Sequence, residues 1–193
     1  MPDQLFAIFF IGHPTDDDYA GWLRQRLAYA RMEFDGLEMV DGHGDANGTW
    51  GGVPCHARHL DDANGGWLLL TYAPEDFEAA MKLPPMNDYE LPPPLATFAD
   101  ACRALRPNVA LLASEPLPET CIYQYAADVA TQIAEGPSAE LCERPYTALF
   151  LGSFEIVMLE DEQSLLAELR RLDVAGGAVF FPAGAPGPGT LHT

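Results

Sequence analysis

The run of apolar and polar positions is most regular between Tyr146 and Pro182. Residues 146–151 and 154–159 are apolar stretches rich in aromatic and branched side chains, parted by Gly152-Ser153, a spacing that predicts an antiparallel hairpin. Over 161–173, Leu165, Leu166, Leu169 and Leu172 share one helical face, with Asp161 and Glu162 at the start and Arg170 and Arg171 at the close. That predicts a helix ended by Gly176-Gly177, after which 178–181 is a short buried strand stopped by Pro182.

Residues 5–11 are almost wholly apolar and predict a strand that is central in its sheet or covered on both faces. Thr15 and Asp16, Asp17 and Asp18 suit a helix start, and Tyr19, Leu23, Leu27, Ala30 and Phe34 then recur on one face until Gly36. Residues 37–40 form a second strand. From 41 to 66 glycine recurs without sustained periodicity, so this stretch, with Trp50, Cys55, His43, His56 and His59, reads as a long irregular loop. Residues 67–72 are a strand, and Pro74 opens a short helix that also holds Glu75 and Asp76. A proline-rich connector over 84–94 carries Tyr89. Beyond it come a helix through Leu95, Phe98, Cys102 and Leu105, a strand at 109–113, a long helix over 118–135 and one further turn near 138–143.

From residue 108 to 182 the predicted order is strand, helix, strand, strand, helix, strand, the βαββαβ arrangement of ferredoxin-like folds. The expected class is therefore α/β in the α+β sense, a two-layer sandwich with helices on one face of an antiparallel sheet. The first part, 1–83, repeats much of that order, which fits either an internal duplication sharing one core or a single continuous sheet. The chain divides into 1–83, the 84–94 connector, 95–182 and a Gly/Pro-rich tail over 183–193.

Charge narrows the choice of partners. With 29 acidic and 10 basic residues, the formal net charge is −19, which repels phosphate backbones and anionic lipid and attracts cationic proteins. No stretch reaches the roughly 18 apolar residues of a membrane span, and the amino terminus lacks the basic flank of a signal peptide. A cytoplasmic protein with reduced Cys55, Cys102, Cys121 and Cys142 is expected.

Gly12-His13-Pro14-Thr15-Asp16-Asp17 follows the first strand. It resembles a stretched His-Pro-Asp-Asp motif of metal-dependent N-acetylglucosaminyl de-N-acetylases, whose histidine and one aspartate bind zinc while the other aspartate acts as base. Thr15 is an extra residue in that motif, and His56-Ala-Arg-His59 is the one later histidine pair with suitable spacing. The resemblance implies a metal-dependent hydrolase built from His13, Asp16, His56 and His59; separately, Cys55, His56 and His59, with His43, Asp41 or Asp45 nearby, are candidate ligands because thiolate and imidazole suit zinc. No Gly-x-Ser-x-Gly elbow and no phosphate loop with a lysine occur.

The leading expectation is a non-enzymatic inhibitor without cofactor, in the manner of an immunity protein, that occludes a basic toxin or nuclease. Its contact set is Asp16, Asp17, Asp18, Asp41, Asp45, Asp61, Asp62, Glu75 and Asp76, with Trp50, Trp67 and Tyr89 as aromatic anchors.

Overall fold

The computed structural model describes residues 3–12, 19–34, 39–40, 43–62, 65–136, 139–159 and 166–182. The organising element is β1 (Leu5–Gly12). Leu5, Ala7 and Phe9 enter one core while Phe6, Ile8 and Phe10 enter another, because successive side chains of a strand point to opposite faces. A strand apolar on both faces must be covered twice, and this one is.

The sheet is mixed with helices but wholly antiparallel in its pairings, ten strands in the order β2-β4-β5-β6-β1-β7-β8-β10-β9, with β3 also on β4. These are β2 (Met32–Phe34), β3 (Met39–Val40), β4 (His43–Trp50), β5 (Val53–Asp62), β6 (Gly65–Tyr72), β7 (Val109–Ala113), β8 (Tyr146–Gly152), β9 (Arg170–Val174) and β10 (Gly177–Phe181). Helices α1 (Tyr19–Tyr29), α2 (Pro74–Met81) and α3 (Pro93–Leu105) close the first core, and α4 (Glu119–Glu135), α5 (Ala139–Cys142) and α6 (Ser153–Leu159) close the second. Helices on both faces make three layers, where two were expected. The first and second parts of the chain supply the two sides of one continuous sheet, joined through β1 and β7.

Two expectations are overturned. Residues 43–62 form a hairpin, β4 and β5, where a loop was expected, because Gly51 (φ +58°) and Gly52 (φ +86°) make the left-handed two-residue turn that suits the twist of flanking strands. Along it Gly44, Ala46 and Trp50, then Val53, Cys55, Ala57 and His59, are buried in strict alternation with more exposed neighbours. The alternation is carried by small residues, which mask it from a reading of hydrophobicity.

The second correction concerns 153–174. Residues 153–159 are helix α6, and 170–174 are strand β9, the reverse of the expected strand and helix. In α6 the buried residues Glu155, Ile156 and Leu159 fall at helical spacing against the sheet. The place beside β8 goes instead to β10, paired from Gly177↔Gly152 to Phe180↔Leu149. The split βαβ pairing of a ferredoxin-like half is therefore not the one adopted: β7, β8 and β10 are antiparallel neighbours in turn. Helix α1 also stops sooner than its periodicity suggests, since Arg31 takes a positive φ of 57° and Met32 begins β2.

None of the helices described is long and apolar enough to cross a membrane. All four cysteines are free; Cys55 and Cys102 are buried, and burial pushes the Cys55 thiol up to about 12.

Candidate functional site

The two faces of the molecule differ in charge. The segment from Glu119 to Arg144, which holds α4 and α5, carries five carboxylates (Glu119, Asp128, Glu135, Glu140, Glu143) against one cation, Arg144. On the other side, α1 to α3 and their flanks mix Arg26, Arg31, Lys82, Arg103 and Arg106 with Glu75, Asp76, Glu78, Asp88, Glu90 and Asp100. The periodicity of α4 explains the sorting, since Ile122, Ala126, Val129 and Ala130 turn to the core and leave Asp128 and Glu135 outward.

On the α4–α6 side the described cations are held in place, two of them by carboxylates. Arg58 lies over the Tyr123 ring at 5.2 Å, Arg144 over Tyr125 at 4.8 Å and Arg171 over Phe180 at 5.7 Å. Each is also bonded: Arg144 Nε donates to Gln132 Oε1 (3.1 Å), and Arg171 Nε to Asp173 Oδ1 (2.8 Å). Arg58 donates to the Tyr123 hydroxyl and, from Nε at 3.2 Å and Nη2 at 2.8 Å, to Asp45 Oδ2. Asp128, Glu135, Glu140 and Glu143 form no ion pair among the described residues. Asp128 instead accepts from Gln124, and Glu140 from Gln132. These four carboxylates of the α4–α5 segment are left without a neutralising cation among the described residues.

Beside α4, on the face of β4 and β5 that turns away from the first core, Asp45, His56 and Arg58 meet. His56 bonds Asp45 through Nε2 across the strand pair. Partial burial would raise the Asp45 carboxyl, but the hydrogen bonds from Arg58 and His56 outweigh it and hold its pKa below the ordinary value. Burial pushes the Tyr123 hydroxyl up, with Arg58 pulling the other way and Glu119 adding to the rise. Arg58 and Tyr123 belong to this cluster although the sequence reading passed over both. Its sign was Arg58 two residues beyond His56 on an alternating strand.

The remaining expected residues are dispersed. Trp50 and Trp67 are 3% and 5% exposed and are core side chains, which corrects their reading as surface anchors. Tyr89 is half-buried against the first core, and its hydroxyl donates to Asp100 Oδ1 at 3.1 Å. Asp61 and Asp62 pair with Gly66 and Gly65 at one end of the sheet, whereas Glu75 and Asp76 follow Tyr72 at the other. Along the eight residues of β6 the two ends are roughly 24 Å apart. Over about three Debye lengths at physiological salt their fields do not sum. His13, Asp16, Asp17, Asp18 and Asp41 lie outside the described residues.

The spacing of His56 and His59 was expected to suit one face of a helical turn. Both lie on β5, where three residues apart means opposite faces: His56 shares the outer face with Arg58, and buried His59 shares the inner one with Cys55 and Ala57. Among the described residues no group of three or more His, Cys, Asp or Glu side chains is placed to hold a metal ion.

One acid on this side is buried. Glu155 of α6 is 6% exposed, and its Oε2 occupies the space where a Cβ at Gly152 would come within 2.5 Å. Burial raises its pKa, against a smaller opposing effect from its own backbone N–H. A carboxyl whose pKa rises on folding adds stability at low pH and loses that contribution as pH climbs through the folded pKa. Glu155→Gln is therefore expected to melt increasingly above the parent protein as pH rises from about 4 to about 8. Thermal denaturation across that range checks it, and a gap that shrinks with pH would contradict the burial.

No family model, curated protein or solved structure matches this chain.

Proposed function

We propose that the protein is a cytoplasmic binding protein that occludes a basic partner, in the manner of an immunity protein acting on a cationic toxin or nuclease. The observation that supports this reading is the charge of the α4–α5 segment: the cations on its side of the sheet are spent on rings and side chains, and Asp128, Glu135, Glu140 and Glu143 form no ion pair among the described residues. A net charge of −19 draws any cationic protein, and carboxylates without a cation beside them offer it a place to dock. Asp45, the one expected contact residue found on this side with its side chain in view, belongs to the rim of the face beside α4.

The reading is tested by capturing partners from the source cells on the immobilised protein at low and high salt. A basic protein should be retained at low salt and released as salt rises. Its own activity should then be suppressed by one equivalent of the purified chain. Changing Asp128, Glu135, Glu140 and Glu143 together to Asn or Gln should slow association by about tenfold or more while leaving the fold intact. Binding indifferent both to salt and to that variant would overturn the proposal.

A further inference from the structure

We propose that Phe154, Val157 and Met158 on α6 are the apolar anchor with which this protein grips a cationic protein partner; the inference rests on the function proposed above and locates the contact that follows electrostatic encounter. Helix α6 turns Ile156 and Leu159 into the second core, over β8 and β10. Phe154, Val157 and Met158, at i, i+3 and i+4, form the opposite stripe and are 68%, 61% and 53% exposed. Together they present on the order of 300 Å² of apolar surface, the size at which a patch on a monomer is often functional.

Charge says what covers it. The stripe shares its side of the sheet with α4 and α5, where Asp128, Glu135, Glu140 and Glu143 form no ion pair among the described residues. The described cations on this side, Arg58, Arg144 and Arg171, are each laid on a ring and bonded in place. An apolar stripe on a layer that also carries carboxylates without ion pairs is the complement of a basic protein surface with a protruding apolar group. A second copy of this chain fits badly, because each carries a charge of −19 and the stripe supplies well under the roughly 800 Å² per partner that stable dimers bury. An anionic bilayer is repelled for the same reason.

The probe is a labelled amphipathic peptide of Lys and Leu, set against a peptide of Lys alone, with the whole protein and fluorescence anisotropy as readout. The combined variant Phe154→Ser, Val157→Ser, Met158→Gln should weaken the Lys/Leu peptide by about tenfold or more and change the Lys peptide by less than about twofold. The Asn/Gln variant of Asp128, Glu135, Glu140 and Glu143 should weaken both. Unaltered binding of the Lys/Leu peptide to the stripe variant, while the carboxylate variant loses it, would overturn the anchor and leave the basic-partner reading standing. Indifference of both peptides to the carboxylate variant would sink that reading itself. Sedimentation equilibrium should find a monomer, and a dimer abolished by the stripe variant would assign the patch to self-association instead. Adsorption to anionic vesicles through the stripe would likewise overturn the proposal. Since all three residues are exposed, the variant should melt with the parent protein, and that measurement guards the comparison.

Discussion

Trp50→Ala is expected to cost about 3–5 kcal/mol of stability, a third or more of what a typical domain possesses. Trp50 closes β4 immediately before the Gly51-Gly52 turn and is 3% exposed. Its ring meets Phe9 edge-on at 5.9 Å, Tyr72 at 6.1 Å and Phe98 at 6.4 Å. Through these contacts one side chain joins the central strand, the β4–β5 hairpin and α3. Removing it leaves a cavity among side chains that are themselves held by the sheet and cannot collapse far. The indole Nε1 is buried without a hydrogen-bond partner, so Trp50→Phe should lose much less, the smaller ring being offset by removal of an unsatisfied donor. Urea unfolding followed by near-ultraviolet circular dichroism measures both. A loss under about 1 kcal/mol for the alanine variant would return Trp50 to the surface, where the sequence reading had it.

That residue shows where the sequence was legible and where it was not. Strands β1, β6, β7, β8 and β10 are apolar on both faces, and each was recognisable as an apolar run. Helices α3 and α4 were equally plain, with proline at the start and a glycine or a left-handed residue at the end. The β4–β5 hairpin escaped because, apart from Trp50, Val53 and His59, its buried inward positions are Gly44, Ala46, Cys55 and Ala57, whose small side chains enter the first core without raising local hydrophobicity. Gly51-Gly52 was the sign to weigh, since two adjacent glycines between alternating residues mark a hairpin turn more strongly than a loop. In 153–174 the error came from assigning partners by proximity in sequence. An apolar stretch next to a strand reads as its hairpin mate, but in α6 only the helical subset of those residues meets the core, leaving Phe154, Val157 and Met158 outside.

The site was less legible than the fold for a related reason. A count of carboxylates gives net charge but not direction, and direction depends on which layer each helix joins. Asp61 and Asp62 on one side of the register, and Glu75 and Asp76 on the other, are separated by the length of a strand. Meanwhile Glu135, Glu140 and Glu143 belong to one layer because α4 and α5 cover the same core. Cation placement is still harder to foresee. Arg58, Arg144 and Arg171 are far apart in sequence, yet each finds an aromatic face on the same side of the sheet, where ring contact and hydrogen bonding hold the guanidinium. Holding the cations in this way keeps them from Asp128, Glu135, Glu140 and Glu143, which form no ion pair among the described residues, and the partner proposal starts from those four.

Gly177→Ala should be the most damaging single methyl group added anywhere in the second part of the chain. Gly177 begins β10 opposite Gly152, in the place that the expected hairpin would have filled. A Cβ there would come within 2.1 Å of the Leu151 carbonyl oxygen, 2.8 Å of the Phe150 ring and 2.9 Å of the Gly152 Cα. Two of those three obstacles are backbone, so no rotamer change relieves them, and β10 would have to move off β8 or slide in register. A one-residue slide would turn Val179 and Phe181 out of the first core and Ala178 and Phe180 out of the second. The expected outcome is a loss of about 3 kcal/mol or more, beyond the usual range for an overpacked methyl because both flanking strands are rigid. Amide exchange should report it locally, with protection lost first at Ala178, Val179 and Phe180 and retained along β1 and β6. Should Gly177→Ala fold with unchanged stability and unchanged protection, β8 and β10 are not paired in this register, and α6 would lose the strands that hold its outer stripe in place.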